Sequence, residues 1–233
     1  PSWRFDLQIE EDLIEEVVRV WGFERLPVRP PKASSPMLVQ PERERSISLI
    51  KRAMAARDYQ EIVTFGFVSS GLQAQLGEPA GIRLLNPIAA QLDVMRSTLW
   101  CGLIDTLQSN LNRKASRVRL FEVGRKYLQS AAGMNEIDTL AGVAAGARAP
   151  EQWGMAREAV DFFDIKRDLQ GLLDLTGDAQ SFRFAAEKLS CLRPGRTARI
   201  YRGDVAVGWL GEVHPGVIKS LEVGIPAYVF ELE

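Results

Sequence analysis

Residues Ala198–Val213 read ARIYRGDVAVGWLGEV, two runs rich in β-branched and aromatic residues separated by Arg202-Gly203-Asp204. Such residues suit a pleated, half-buried surface, and a Gly-Asp pair between two of these runs signals a hairpin. Outward from this hairpin, VRLFEVGRKY (Val118–Tyr127), LAGVAAG (Leu140–Gly146) and AYVFELE (Ala227–Glu233) have the same extended character. EIVTFGFV (Glu61–Val68) reads as another strand, and GIRLLNP (Gly81–Pro87) as one more, stopped at Asn86-Pro87. Four segments carry helical spacing instead. Ile9–Trp21 repeats Ile9, Leu13, Val17, Val20 and Trp21, with Gly22 as its C-terminal cap. Arg43–Arg57 aligns Ile47, Ile50 and Met54 in one stripe; Leu99–Leu111 and Asp164–Leu175, the latter ending at Gly177, complete the set. Strands outnumber helices and several join as hairpins, so the predicted fold is α+β, an antiparallel sheet flanked by helices.

Between Leu26 and Pro41 the chain reads LPVRPPKASSPMLVQP, with five prolines and no core-forming period. This divides the sequence into a leading segment (1–27), a Pro-rich linker (28–41) and a main body (42–233). The first residue is Pro1 and the last ones read as a strand, so the sequence is expected to be a piece of a longer protein.

Composition excludes several function classes. Among 233 residues, 29 Lys+Arg stand against 30 Asp+Glu, so a globally basic nucleic-acid binder is out while a local basic face is not. One histidine and two cysteines cannot assemble a Cys/His zinc cluster or a disulfide framework. No apolar run approaches the ~18 residues of a membrane span and no signal peptide opens the chain, which points to a soluble, cytoplasmic protein.

Three constellations could carry chemistry. Asp12, Glu15 and Glu16 lie three and four residues apart on one helical face, and Asp6 stands just upstream. Four hard oxygen donors suit Mg²⁺ or Ca²⁺, although acids also favour the first turns of a helix through its dipole. Arg113, Lys114, Arg117, Arg119, Arg125 and Lys126 form a basic cluster that could hold phosphates or line a charged strand edge. His214, in GEVHPG, has no GxSxG elbow to serve and reads as a turn residue; Cys101, in LWCGLI, reads as a small buried hydrophobe.

In order, PSWRFDLQIEEDLIEEVVRVWGFERLP, LLNPIAAQLDVMRSTLWCGLIDTLQSNLNR, VRLFEVGRKY, VDFFDIKRDLQGLLDLTG, LRPGRTARIY, VGWLGEVHPGV and YVFELE span nearly the whole chain. Together they resemble the β subunits of bacterial phenylalanine-tRNA ligases. The resemblance implies the end of a small winged-helix-like module followed by a class II aminoacyl-tRNA synthetase-like core, a non-catalytic copy of the catalytic fold. It implies that D-x5-D-x2-EE, here Asp6, Asp12, Glu15 and Glu16, is a magnesium site shared with the α subunit. It also implies a heterotetramer, (αβ)₂, that attaches phenylalanine to tRNA with ATP bound by α. Class II catalysis needs an R-x-E arginine and a G-x-G-x-E-R arginine on the nucleotide phosphates. Arg119-Leu120-Phe121-Glu122 has one residue too many for the first, and Gly142–Arg148 (GVAAGAR) lacks the second. No catalytic or nucleotide-binding residue is therefore assigned to this chain. The competing readings are a stand-alone nucleotide-binding module and an RNA-binding module gripping through Arg113–Lys126. The apolar faces of Arg43–Arg57 and Leu99–Leu111, with Trp100, are expected to help form an inter-subunit core.

Overall fold

The computed structural model describes residues 2–30, 32, 45–77, 81–130 and 133–233. The chain divides into two compact units, Pro1–Pro41 and Glu42–Glu233.

In the first unit, α1 spans Glu10–Trp21, close to the expected bounds. Asp12 closes its start by accepting the backbone N–H groups of Gln8 (2.7 Å) and Ile9 (3.0 Å), donors that a helix otherwise leaves without partners. Gly22, at φ 107°, ends it, and a 3-10 turn follows at Phe23–Arg25. No residue of α1 is buried.

The second unit runs α2 (Ile47–Ala55), β1 (Gln60–Glu61), β2 (Phe67–Val68), α3 (Ser70–Leu76), β3 (Val94–Met95), α4 (Trp100–Asn112), β4 (Arg117–Ser130) and β5 (Gly133–Gly146). It continues through α5 (Phe162–Leu173), β6 (Phe182–Ala186), β7 (Leu192–Arg202), β8 (Val205–Val213), α6 (Pro215–Ser220) and β9 (Ala227–Leu232). Seven strands form one sheet in the order β1-β4-β5-β9-β8-β7-β6, antiparallel throughout except for β1, which lies parallel to β4. β4 and β5 pair along their whole lengths, from Arg117↔Gly146 to Ser130↔Gly133. Gly146 takes φ 85°, and a Cβ there would fall 2.1 Å from the Ser116 carbonyl oxygen, so no other residue fits this crossing. β9 inserts between β5 and β8, joining two hairpins into one sheet.

Alternation along the strands sends side chains to two separate cores. On one face Val118, Leu120, Val143 and Val229 pack with Trp100, Leu103, Ile104 and Leu107 of α4. On the other, Phe121, Ala144, Phe230 and Leu210 pack with Met54 of α2 and Ile165, Leu169 and Leu172 of α5. The predicted antiparallel sheet with flanking helices is thus the observed one.

Several expected elements differ. Glu61–Val68 is a strand only at its ends, because the intervening segment turns away to other partners: the Thr64 side chain is held by Glu122, and the Gly66 carbonyl accepts the Arg96 backbone N–H at 3.0 Å. Gly81–Pro87 makes a single bridge, Arg83↔Val94. β5 begins at Gly133, seven residues before the expected start, since its polar arm pairs with β4 away from either core. β7 begins at Leu192 and passes an irregularity between Leu192 and Thr197 that contains Pro194 and Gly195. β6 and α3 carry too few residues to announce themselves. Ser46 caps α2, accepting from Leu49 N–H at 3.3 Å; the expected start at Arg43 lies outside the described residues. The expectation of an inter-subunit face on Leu99–Leu111 is corrected: Trp100, Cys101, Leu103, Ile104 and Leu107 are buried within this one chain. On α2, Met54 is buried likewise, and Ile47 alone of its stripe is exposed, at 56%.

These burials set expected responses. Leu103→Ala should cost about 2–5 kcal/mol in urea unfolding, through lost transfer energy and a cavity, whereas Ile47→Ala should cost less than about 1 kcal/mol. Burial pushes the thiols of Cys101 and Cys191 up to about 12, so both should resist a thiolate-selective disulfide reagent at mildly alkaline pH and react together once denatured.

Candidate functional site

The four acids of the first unit are not equivalent. The Arg4 fork grips Asp6 (Nε–Oδ1 2.9 Å, Nη2–Oδ2 2.7 Å) and reaches Glu16 (Nη2–Oε1 2.8 Å), whose other oxygen accepts from Arg19 at 2.7 Å. Arg4 holds the Asp6 carboxyl below the ordinary range, Arg19 and then Arg4 do the same for Glu16, and the Gln8 and Ile9 N–H groups do so for Asp12. Glu15 is exposed. Arg4 thus brings Asp6 and Glu16 together, while Asp12 is turned to the start of the helix. Among the described residues no three His, Cys, Asp or Glu side chains surround a point where a metal could sit. The donor types suit Mg²⁺, but with a guanidinium between two of them the set as arranged does not fit the ion.

The basic cluster is largely neutralised by acids distant in sequence. Arg117 pairs with Asp58 (3.3 Å), Arg119 with Asp168 (2.7 Å), Arg125 with Glu136 (2.7 Å) and Asp138 (3.1 Å), and Lys126 with Glu231 (2.8 Å) and Glu233 (2.7 Å). Arg113 and Lys114 remain exposed just after α4. Arg119 also lies over the Tyr59 ring, whose hydroxyl donates to Asp168 at 3.2 Å.

Besides Arg119 and Asp168 on the α5 face, charge is buried at the centre of the sheet on the face toward α4. Glu122 accepts from Arg96 Nη1 (2.8 Å) and from the Thr64 hydroxyl (2.8 Å), and the two ion-pair partners are 2% and 5% exposed at their side chains. Arg96 Nε donates to the Arg125 carbonyl at 2.9 Å. Gly124 makes room for that guanidinium, since a Cβ would lie 2.5 Å from Nη2, and Gly102 of α4 makes room for Thr64 in the same way. Beside this pair, Glu231 of β9 accepts from Lys126, from the Thr98 hydroxyl (2.6 Å) and from Leu99 N–H (3.0 Å). Burial pushes the Lys126 ammonium down, but Glu231 and Glu233 outweigh it and its pKa stays above the usual lysine range. Each buried cation here points at a carboxylate of the same chain, so the buried centre of this face holds no unpaired cation among the described residues. Sequence reading passed over Arg96, Thr98 and Glu231 as functional residues. The available signal was a glutamate inside an apolar strand run, LFEV and VFEL, because such an acid must be paired.

Strand geometry also resolves the approximate R-x-E. Two residues apart, an arginine and a glutamate share a face of a strand; three apart, they cannot. Arg119 accordingly points to α5 and Glu122 to Arg96, on opposite faces. Gly142, in the segment that would have to supply the second arginine, is a packing glycine: a Cβ would meet the Phe230 ring at 2.4 Å. His214 caps α6, its Nδ1 accepting the Gly216 N–H at 3.1 Å, as expected of a turn residue. A cavity of about 610 Å³ opens on the α2/α5 face, lined by Ile47, Ile50, Leu172, Leu173, Phe182 and Val207. Asp138, Thr139, Thr176 and Glu233 also line it.

Removing one partner of the central pair leaves the other charge buried alone. Arg96→Met or Glu122→Leu should therefore each cost about 3–5 kcal/mol, and the two together much less than the sum, a coupling that a double-mutant cycle in urea would measure.

The comparisons agree with this geometry. Residues 26–233 match the family model of the phenylalanyl tRNA synthetase beta chain CLM domain, and residues 1–23 that of the tRNA synthetase B5 domain. The chain is 45% identical to the phenylalanine–tRNA ligase beta subunit of Bordetella bronchiseptica and 47% identical to that of Ralstonia nicotianae; each alignment covers 100% of this chain and 30% of the relative. With the Pseudomonas fluorescens protein of the same name identity is 44%, over 29% of that relative. The chain thus spans about a third of the length of these relatives. Two solved structures of pyrrolysyl-tRNA synthetase from Desulfitobacterium hafniense share the fold, with TM-scores of 0.57 and 0.59 at 18% identity. They cover 80% and 79% of this chain, which aligns with 66% and 64% of theirs, and the shared fold is that of class II synthetases. A class II sheet filled by its own ion pairs, together with these matches over the whole sequence, places the chain in the phenylalanyl-tRNA synthetase beta chain family.

Proposed function

We propose that this chain serves as a non-catalytic scaffold within a phenylalanine–tRNA ligase, supporting ATP-dependent attachment of phenylalanine to tRNA by a cytoplasmic (αβ)₂ enzyme whose α subunit carries the chemistry. The observation that carries this reading is the pair of opposed side chains on β4. Arg119 is tied to Asp168 on one face and Arg96 to Glu122 on the other, so neither arginine is available to neutralise charge on a reacting phosphate. The same burial suits a scaffold, because a sheet with satisfied charges at its centre holds its shape without a ligand.

The acidic set is proposed to take Mg²⁺ only beside α, where a partner surface draws Arg4 away from Asp6 and Glu16. The ion demands near-octahedral oxygen ligation, which exposed carboxylates already engaged by arginine do not supply.

The purified chain should show no phenylalanine-dependent exchange of pyrophosphate into ATP, and should co-purify with a co-expressed α subunit. Exchange activity by the chain alone, or failure to associate, overturns the reading. Asp12→Ala with Glu16→Ala should weaken assembly of the whole enzyme and its bound magnesium while leaving the melting of the second unit unchanged.

A further inference from the structure

Four of the six residues of the basic cluster that stands out in the sequence are held in ion pairs, and the structure leaves other arginines without an acid. On β6 and β7, Arg183 and Arg199 have neither a carboxylate nor a hydrogen-bond partner among the described residues. Each is laid on a ring instead. Arg183 lies 4.0 Å from the centroid of Tyr201, its register partner across β6–β7, and Arg199 lies 4.4 Å from that of Trp209, its partner across β7–β8. Arg199 and Tyr201 are two residues apart on one strand, so all four side chains share one face of the sheet, with Arg183 and Arg199 as diagonal neighbours about 7–8 Å apart. Arg183 is exposed and the other three are half-buried. β6 is the last strand of the sheet.

The acids nearby do not cancel this charge. Glu187 accepts the Tyr201 hydroxyl, and Glu231, opposite Trp209, is engaged by Lys126, Thr98 and the Leu99 N–H. A guanidinium that rests over a ring and has no acid or hydrogen-bond partner keeps its N–H groups for a phosphate, and arginine is favoured over lysine both for phosphate pairing and for stacking. Alternation of cations and aromatics on an open sheet is the chemistry by which proteins hold single strands of nucleic acid, through base stacking plus charge pairing with phosphate. An acidic peptide would use the two charges but leave the rings without a role.

We propose that the Arg183–Tyr201 and Arg199–Trp209 pairs form a docking surface for single-stranded RNA. The surface is a property of the β6–β8 face alone and does not depend on the scaffold role proposed above.

Fluorescence anisotropy of a labelled single-stranded RNA of roughly ten nucleotides, titrated with the full chain at several salt concentrations, tests this. Binding should weaken steeply with salt. Arg183→Gln with Arg199→Gln should lower affinity about tenfold or more at low salt, and should reduce the slope of log affinity against log salt by about 0.7 for each phosphate that is no longer neutralised. Arg183→Lys with Arg199→Lys should keep the salt slope while losing affinity, because charge is retained and planar stacking is not. Thermal melting of each variant checks that the sheet is intact. Unchanged affinity in the glutamine variant, absence of RNA binding, or competition by poly-glutamate of matched charge as strong as by unlabelled RNA would each overturn the proposal.

Discussion

The ion pair between Arg96 and Glu122, almost fully shielded from solvent, is the constraint around which the second unit is organised. A carboxylate at the centre of a sheet face is tolerable only with a cation and hydrogen-bond donors close by. Meeting that requirement draws Arg96 in from the segment before α4, pulls Thr64 out of what would otherwise be an edge strand, and demands glycine at 124 and 102. Glu231 imposes a parallel demand on β9, which it meets with Lys126, the Thr98 hydroxyl and the backbone at the start of α4. Strand, loop and helix are thereby tied to one another at a single place, with the apolar side of α4 closing over it.

This arrangement fixes where the class II fold spends its buried charge. A nucleotide-binding sheet needs cations that remain unsatisfied until phosphate arrives, and such cations are costly to hold in a low-dielectric interior. Here the central cations are matched within the chain. The same economy of charge runs along β4, where Arg119 and Arg125 on one face and Lys126 on the other find acids on α5, β5 and β9. Where no acid is matched, at Arg183 of β6 and Arg199 of β7, the arginines rest on rings instead.

The first unit follows another logic. α1 presents Leu13, Ile14, Val17, Val20 and Trp21 to solvent, and its local order comes from backbone capping by Asp12 and from the Arg4 bridge between Asp6 and Glu16. Its acids therefore act first on their own helix, and their use by a metal requires a rearrangement of Arg4.

The fold class, the main helices and the strands around Ala198–Val213 and Val118–Tyr127 were legible in the sequence, because helical and strand periodicities are local and survive without knowledge of neighbours. The mismatch of Arg119 and Glu122 with an R-x-E element was equally legible, since the residue spacing alone assigns the two to opposite faces. Other features were not. The interrupted strand at residues 62–66 results from a carboxylate 58 positions away from Thr64. The burial of Trp100 and its neighbours inside one chain follows from the sheet laid beneath α4, which periodicity cannot distinguish from a partner subunit. Whether a basic residue is free or paired also depends on acids brought in from distant strands. For that reason Arg117, Arg119, Arg125 and Lys126, prominent as a basic cluster in the sequence, are paired with distant acids, while Arg183 and Arg199, unremarkable in sequence, are left without one by the order in which the strands assembled. Local periodicity determined which segments are helix and strand; only the three-dimensional pairing of charges decided which of them remain available for function, because electrostatic interaction depends on distance in space and not along the chain.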